Sequence, residues 1–217
     1  MITISKEDYL KAIAGAEAEG EAAIPAALAQ SLRVTRPAVT AAIKRLAKDN
    51  LVRVTKDGSI RLTDQGREIA QRTIFRHHLI ERMLTEIFDM PWYAVHDEAE
   101  RLEHAVSPAF EKKLVEKLGP SETCPHGNSF NMLSNAERRK RGLCLLNEAQ
   151  AKKKYCISAI YERDRKLLEF LDQQGIRPGT HISIQSQNYD STVTLLIADR
   201  PVRLGLTAAK RIWVAGA

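Results

Sequence analysis

A chain of 217 residues, 44% hydrophobic and 28% charged, has the composition of a globular protein with room for one large domain or two to three small ones. No run approaches the roughly 18 apolar residues of a membrane span, and three scattered cysteines make no disulfide framework. The net charge of +6 is uneven: residues 33–67 carry nine Lys/Arg against three Asp, whereas residues 71–118 carry seven Lys/Arg against nine Asp/Glu. A basic early block predicts a polyanionic partner, and an acidic middle predicts a cationic one. The opening MITISKEDYLK has no basic segment followed by an apolar run, which predicts no signal peptide, no membrane contact and a cytoplasmic protein.

In DYLKAIAGAEAEG, Tyr9, Leu10, Ile13 and Ala16 recur at helical spacing up to Gly20, a stop signal. IPAALAQSLRV places Ile24, Leu28, Ala29 and Leu32 on one face of a second helix. A third opens with Thr35 as N-cap and Pro37 in its first turn; Val39, Ile43 and Leu46 form its stripe. Ala38, Ala41, Ala42 and Thr40 are expected on the opposite face, followed by Lys44, Arg45 and Lys48. LVRVTKDGSIRLT then alternates around Asp57-Gly58, a two-residue hairpin signal. Helix, helix, basic helix and hairpin is the outline of a winged helix-turn-helix. Thr35, Arg36, Pro37 and Thr40 are placed near base edges, Lys44 and Arg45 near phosphates, and Lys56, Ser59 and Arg61 on the wing.

From Thr63 a helix of about 25 residues is expected, with Ile69, Ile74, Leu79, Met83, Leu84 and Ile87 repeating along it, a connector and dimer spine. His77 and Glu81 share a face of it. PWYAVHDEAERLEHAVS reads as the next helix, packed through Val95, Ala99, Leu102 and Val106, with His96, Glu100, Glu103 and His104 along one side. Carboxylates and imidazoles gathered without matching Lys or Arg are costly unless a cation sits among them. Asp8 reaches the same region if the first helix packs beside it. Oxygen-rich ligation with one or two imidazoles suits Mn(II) or Fe(II), and the lack of thiolate argues against structural zinc.

DYLKAI, the helix-turn-helix, RHHLIERML, VHDEAERLEH and TCPHGN, in that order, resemble the diphtheria-toxin-repressor family of metal-dependent transcriptional regulators over at least residues 6–130. The resemblance implies a homodimeric repressor of metal-uptake genes that binds an inverted-repeat operator in double-stranded DNA. In the iron-sensing branch the primary site uses a methionine and a cysteine where this chain has Asp8 and Glu100, followed by Glu103 and His104. Oxygen in place of sulfur resembles the manganese-sensing branch, so Mn(II) is the expected corepressor and Fe(II) the alternative. Lys11 departs from one manganese subgroup, which has a second acidic ligand there. An ancillary site is implied in one of two forms: His77, Glu81 and His96, or Glu81 with Cys124 and His126.

SNAERRKRGLCLLNEAQAKKKY is polar and basic, a linker over 136–153 between a helical metal-binding and dimerisation unit (71–135, after the DNA-binding unit 1–70) and a C-terminal domain (154–217). Five short strands and the helix DRKLLEFLDQQG predict a small all-β SH3-like barrel, similar to the domain of longer family members and to a ferrous-transport accessory module. There Glu162 and Asp164 are candidates to reach back toward the ancillary metal. The fold class is thus mainly α with a β barrel appended. A hydrolytic metal centre is a rival reading, without a nucleophile motif or Gly-rich pocket loop to support it. In another, the acidic helices are only a structural dimer interface.

Overall fold

A computed structural model describes the backbone of residues 4–217 and the side chains from residue 6 onward. Helix α1 (Ile4–Glu19) buries Tyr9, Leu10 and Ile13 and ends at Gly20, whose φ of +74° lies in the left-handed region that glycine enters freely. Helix α2 (Pro25–Ser31) begins on a proline. In α3 (Arg36–Lys48) the Thr35 hydroxyl accepts from the Ala38 amide, capping the first turn. Ala42 is buried with Val39, Ile43 and Leu46, not exposed with Ala38, Thr40 and Ala41 as expected. It stands three residues after Val39 and four before Leu46, which places it on their stripe.

Strands β1 (Val52–Val54) and β2 (Ile60–Leu62) pair antiparallel. Their connection is not the expected two-residue turn. The Thr55 amide still donates to the Ser59 carbonyl at 2.8 Å, which leaves a three-residue loop ending in left-handed Gly58 (φ +81°). Ser59 is buried against Thr55 and Asp57, so it builds the turn and does not line the wing's outer surface.

Helix α4 (Asp64–Glu86) starts on Thr63, whose hydroxyl accepts from the Gly66 amide, and spans about 35 Å. Its first half closes the core under α1–α3 and the hairpin. Its second half joins α5 (Val95–Leu102) in a core of Ile80, Leu84, Val95, Ala99 and Val106. Leu102, expected in that stripe, is 39% exposed because α5 ends there and the chain turns away. Helix α6 (Pro108–Leu118), absent from the sequence reading, is capped by Ser107 and buries Leu114. The Arg82 guanidinium donates to its terminal carbonyls, Leu118 and Gly119.

Residues 136–153 are more than a tether. A capping box between Ser134 and Glu137 starts α7 (Asn135–Lys140), and β3 (Leu143–Leu145) follows, with Leu146 fully buried after it. Beyond lie β4 (Lys154–Ile160), α8 (Arg165–Gln173), β5 (His181–Gln187), β6 (Thr192–Ile197), β7 (Arg200–Gly205), α9 (Leu206–Ala209) and β8 (Ile212–Gly216). Six strands, against the five expected, form one antiparallel sheet in the order β3-β8-β4-β5-β6-β7; the added strand is β3, drawn from the supposed linker. Register shifts in β4 and β5 bend the sheet around its core. Trp92, from the loop between α4 and α5, enters that core, and its Nε1 donates to Asp172 on α8 at 2.7 Å. This side chain pins the barrel to the helical unit. Among the described residues no helix is long and apolar enough to cross a membrane.

Candidate metal centre and nucleic-acid interface

Helix α1 packs along α4 and brings its N-terminal acids to the turn that follows α5. There His104 Nδ1 lies 2.5 Å from Glu7 Oε2, and His104 Nε2 lies 2.9 Å from Asp8 Oδ1 and 3.6 Å from Glu103 Oε1. Asp8, Glu103 and His104 each turn a donor atom into one small volume. Burial lifts the Asp8 carboxyl above its usual range, against the pull of His104. Glu100, expected in the same set, stands apart and half-exposed, 3.5 Å from Lys11 Nζ and 3.7 Å from His96 Nε2. The reason is Lys11, whose buried ammonium donates to both oxygens of Glu103, at 2.7 and 2.9 Å, and draws Glu100 toward itself. Glu7 went unnoticed in the sequence, although it is an acid beside Asp8.

A second group lies deeper, on the inner face of α4. His77 Nε2 is 3.0 Å from Glu81 Oε1 and 2.9 Å from His96 Nδ1, while its Nδ1 is 2.6 Å from Glu103 Oε2. Burial disfavours a charged His77, yet Glu81 and Glu103 outweigh it and raise the imidazole to about 9. Burial works against ionised Glu81 too, and His126 and His77 hold that carboxyl well below its normal range. The loop 124–128 supplies Cys124 and His126. His126 Nε2 is 2.8 Å from the Trp92 carbonyl and its Nδ1 is 3.3 Å from Glu81 Oε2. Burial, then the charges of Glu81 and Glu162, pushes the Cys124 thiol well up. This loop docks on β4 through Gly127: at φ +79°, a Cβ there would stand 2.0 Å from the Ser158 carbonyl oxygen.

From the barrel, Glu162 reaches this group and Asp164 does not. Glu162 lies 3.6 Å from His78 Nε2 and 3.8 Å from Cys124 Sγ. Asp164 instead caps α8 through the Leu167 amide and pairs with Arg211 at 2.8 Å, so its place among the expected ligands is corrected. Two residues separate them, enough to send one carboxylate inward and the other to a helix start. Donor atoms of His77, Glu81, His96 and Glu162 converge, as do those of His78, Glu81, Cys124 and Glu162. His78 was missed, although it stands three residues from Glu81 and so shares that helix side. Buried imidazoles and carboxylates with one thiol fit a divalent cation.

On the opposite end of the molecule, Thr35, Arg36, Pro37, Thr40, Lys44, Arg45, Lys56 and Arg61 are all exposed along α3 and the hairpin. The Thr40 hydroxyl donates to the Arg36 carbonyl, and no ion pair among the described residues engages Arg36, Lys44, Arg45, Lys56 or Arg61.

Three family models match in chain order: the iron dependent repressor N-terminal DNA binding domain over residues 1–60, the iron dependent repressor metal binding and dimerisation domain over 63–130, and the FeoA domain over 144–216. Winged helix, buried imidazole–carboxylate clusters and these matches define a metal-dependent, DNA-binding transcriptional regulator, not an enzyme. A diphtheria toxin repressor of Corynebacterium efficiens is 30% identical over 197 residues, 87% of this chain and 86% of that one. The chain belongs to the diphtheria toxin repressor family. Its match to the Corynebacterium jeikeium repressor, 39% identical over 122 residues, covers 56% of this chain and about half, 51%, of that relative. Among solved structures, a manganese-dependent transcriptional repressor in complex with manganese superposes with a TM-score of 0.87 at 28% identity, covering 98% of this chain and all of that one. The T. acidophilum IdeR structure gives 0.79 at 27% identity over the full length of both.

Proposed function

We propose that this chain is a cytoplasmic, homodimeric, Mn(II)-activated repressor of metal-uptake genes, with the activating ion held by Asp8, Glu103 and His104 and by Glu100 once it swings inward. The observation that carries the reading is the convergence of Asp8, Glu103 and His104, hard donors with no sulfur among them. When bound, Mn(II) supplies the positive charge that lets these carboxylates stand together. Asp8 on α1 is thereby tied to the turn after α5, fixing the DNA-binding unit on the helical unit. Held so in each protomer, the two α3 helices keep one spacing, matched to an inverted repeat of double-stranded DNA. Ile87, Phe88, Phe110 and Val115 are exposed around the ends of α4 and along α6, and this face is the proposed dimer contact. Fe(II) is the second reading, favoured by His77, Glu81 and His96, an iron-type set that converges in the deeper group. Operator affinity measured against free Mn(II) and free Fe(II) separately tests the choice. Equal affinity in chelated and metal-loaded protein would end both readings.

Two substitutions examine the parts. Glu100→Cys places a thiolate beside Asp8 and moves selectivity from Mn(II) toward softer ions; competition binding of Mn(II) against Zn(II) reads the change, and an unaltered ratio removes Glu100 from the site. Lys44→Ala deletes an exposed charge on α3. It weakens binding about equally for all DNA sequences and lowers the salt slope by roughly 1, whereas a loss confined to one base position contradicts a phosphate contact.

A further inference from the structure

The two deeper donor groups have Glu81 and Glu162 in common. Glu81 turns Oε1 toward His77 and His96, at 3.0 and 3.1 Å, and Oε2 toward His126 at 3.3 Å. Glu162 divides likewise: Oε1 faces His78 at 3.6 Å and Oε2 faces Cys124 at 3.8 Å. A buried carboxylate whose oxygens serve two separate donor sets has the form of a bridge between two cations.

Two rings add independent observations. His78 is 4% exposed, yet its Nδ1 has no hydrogen-bond partner among the described residues. Buried polar atoms are nearly always satisfied, so an unpartnered imidazole beside a thiol and a carboxylate points to a missing partner. His126 donates through Nε2 to the Trp92 carbonyl at 2.8 Å, which leaves the lone pair of Nδ1 on the Glu81 and Cys124 side. A ligand imidazole fixed through its other nitrogen by a carbonyl is the usual outer support of a metal site.

We propose that the junction of α4, the 124–128 loop and the barrel holds a pair of divalent cations bridged by Glu81, one on His77 and His96, the other on His78, Cys124 and His126, with Glu162 between them. The two ancillary arrangements are then halves of one centre. The halves differ in chemistry: the first is all nitrogen and oxygen, while the second adds a thiolate and prefers a softer ion such as Zn(II), Fe(II) or Co(II). The pair is separate from the Asp8 site and stands whether or not Mn(II) is the activating ion.

The test uses full-length His104→Ala protein, which lacks the Asp8 site, loaded with Co(II) without DNA. Two ions per chain are expected, with a near-ultraviolet thiolate-to-cobalt charge-transfer band and a paramagnetic resonance signal reduced by coupling as the second ion enters. His78→Gln, placed in that background, weakens the ion giving the charge-transfer band by about tenfold or more. His96→Gln weakens the other ion and leaves the band in place. One ion per chain, or two without coupling, overturns the pair, and this reading needs no variant within the cluster. An unchanged band affinity in folded His78→Gln overturns the role of His78. Because no DNA is present, failure of the Mn(II)-repressor reading leaves these outcomes untouched.

Discussion

His104→Ala abolishes the gain in operator affinity that Mn(II) produces in the unaltered protein. That gain is expected to be about 1–3 kcal/mol, roughly 5- to 150-fold, the usual size of a coupling between two sites. His104 is the nitrogen donor between Glu7, Asp8 and Glu103, so its loss leaves three carboxylates facing one another with Lys11 as their nearest cation. The fold survives, because α1 is held by Tyr9, Leu10 and Ile13 in a core that His104 does not enter. Operator binding with and without Mn(II), beside a thermal melt, reads both parts. Full Mn(II)-dependent binding by the variant would place the activating site elsewhere.

Gly127→Ala is the second large effect, and it falls on stability. The added methyl meets the Ser158 carbonyl oxygen at 2.0 Å, on a backbone already at φ +79°. Left-handed strain and overpacking cost about 1–3 kcal/mol each. The loop must lift from β4, taking Cys124 and His126 with it. Gly20→Ala is the control, since Gly20 has a similar φ of +74° but open space around it, and costs only about 1 kcal/mol. Denaturant unfolding gives the two penalties, and the rate of Cys124 modification by a thiol reagent reports the lifting. Equal penalties would mean that the loop does not bear on the barrel as described.

The DNA-binding half was legible because its signals are local. The Thr35 cap, Pro37, the stripe of Val39, Ile43 and Leu46, and Asp57-Gly58 each act within a few residues. Leu102 and Ala42 were misplaced because periodicity gives a face only while the helix lasts and says nothing of where its neighbours end. Helix α6 buries little beyond Leu114, so it left a weak periodic trace, and α7 and β3 hide in a basic stretch whose order comes from pairing with β8. The donors on α4 and α5 showed as i,i+4 pairs. Glu162 and Asp164 could not be told apart, since which one turns inward depends on how the barrel is pinned by Trp92. His78 lay beside His77 in plain sight, but adjacent residues point about 100° apart on a helix, and only the Cys124 loop and Glu162 give the second ring company.

One ring ties the two regions together. His77 meets Glu103 through Nδ1 and Glu81 and His96 through Nε2, so a single planar side chain spans the Asp8 set and the deeper set. A rigid ring cannot be rotated to suit one neighbour without being offered differently to the other. Filling either place therefore alters the donor geometry at its counterpart, and thermodynamic reciprocity makes the influence equal in both directions. Metal uptake by this chain is then not a sum of independent saturation curves: its steepness is set in part by one imidazole, and the concentration at which the molecule responds is a property of the linked assembly.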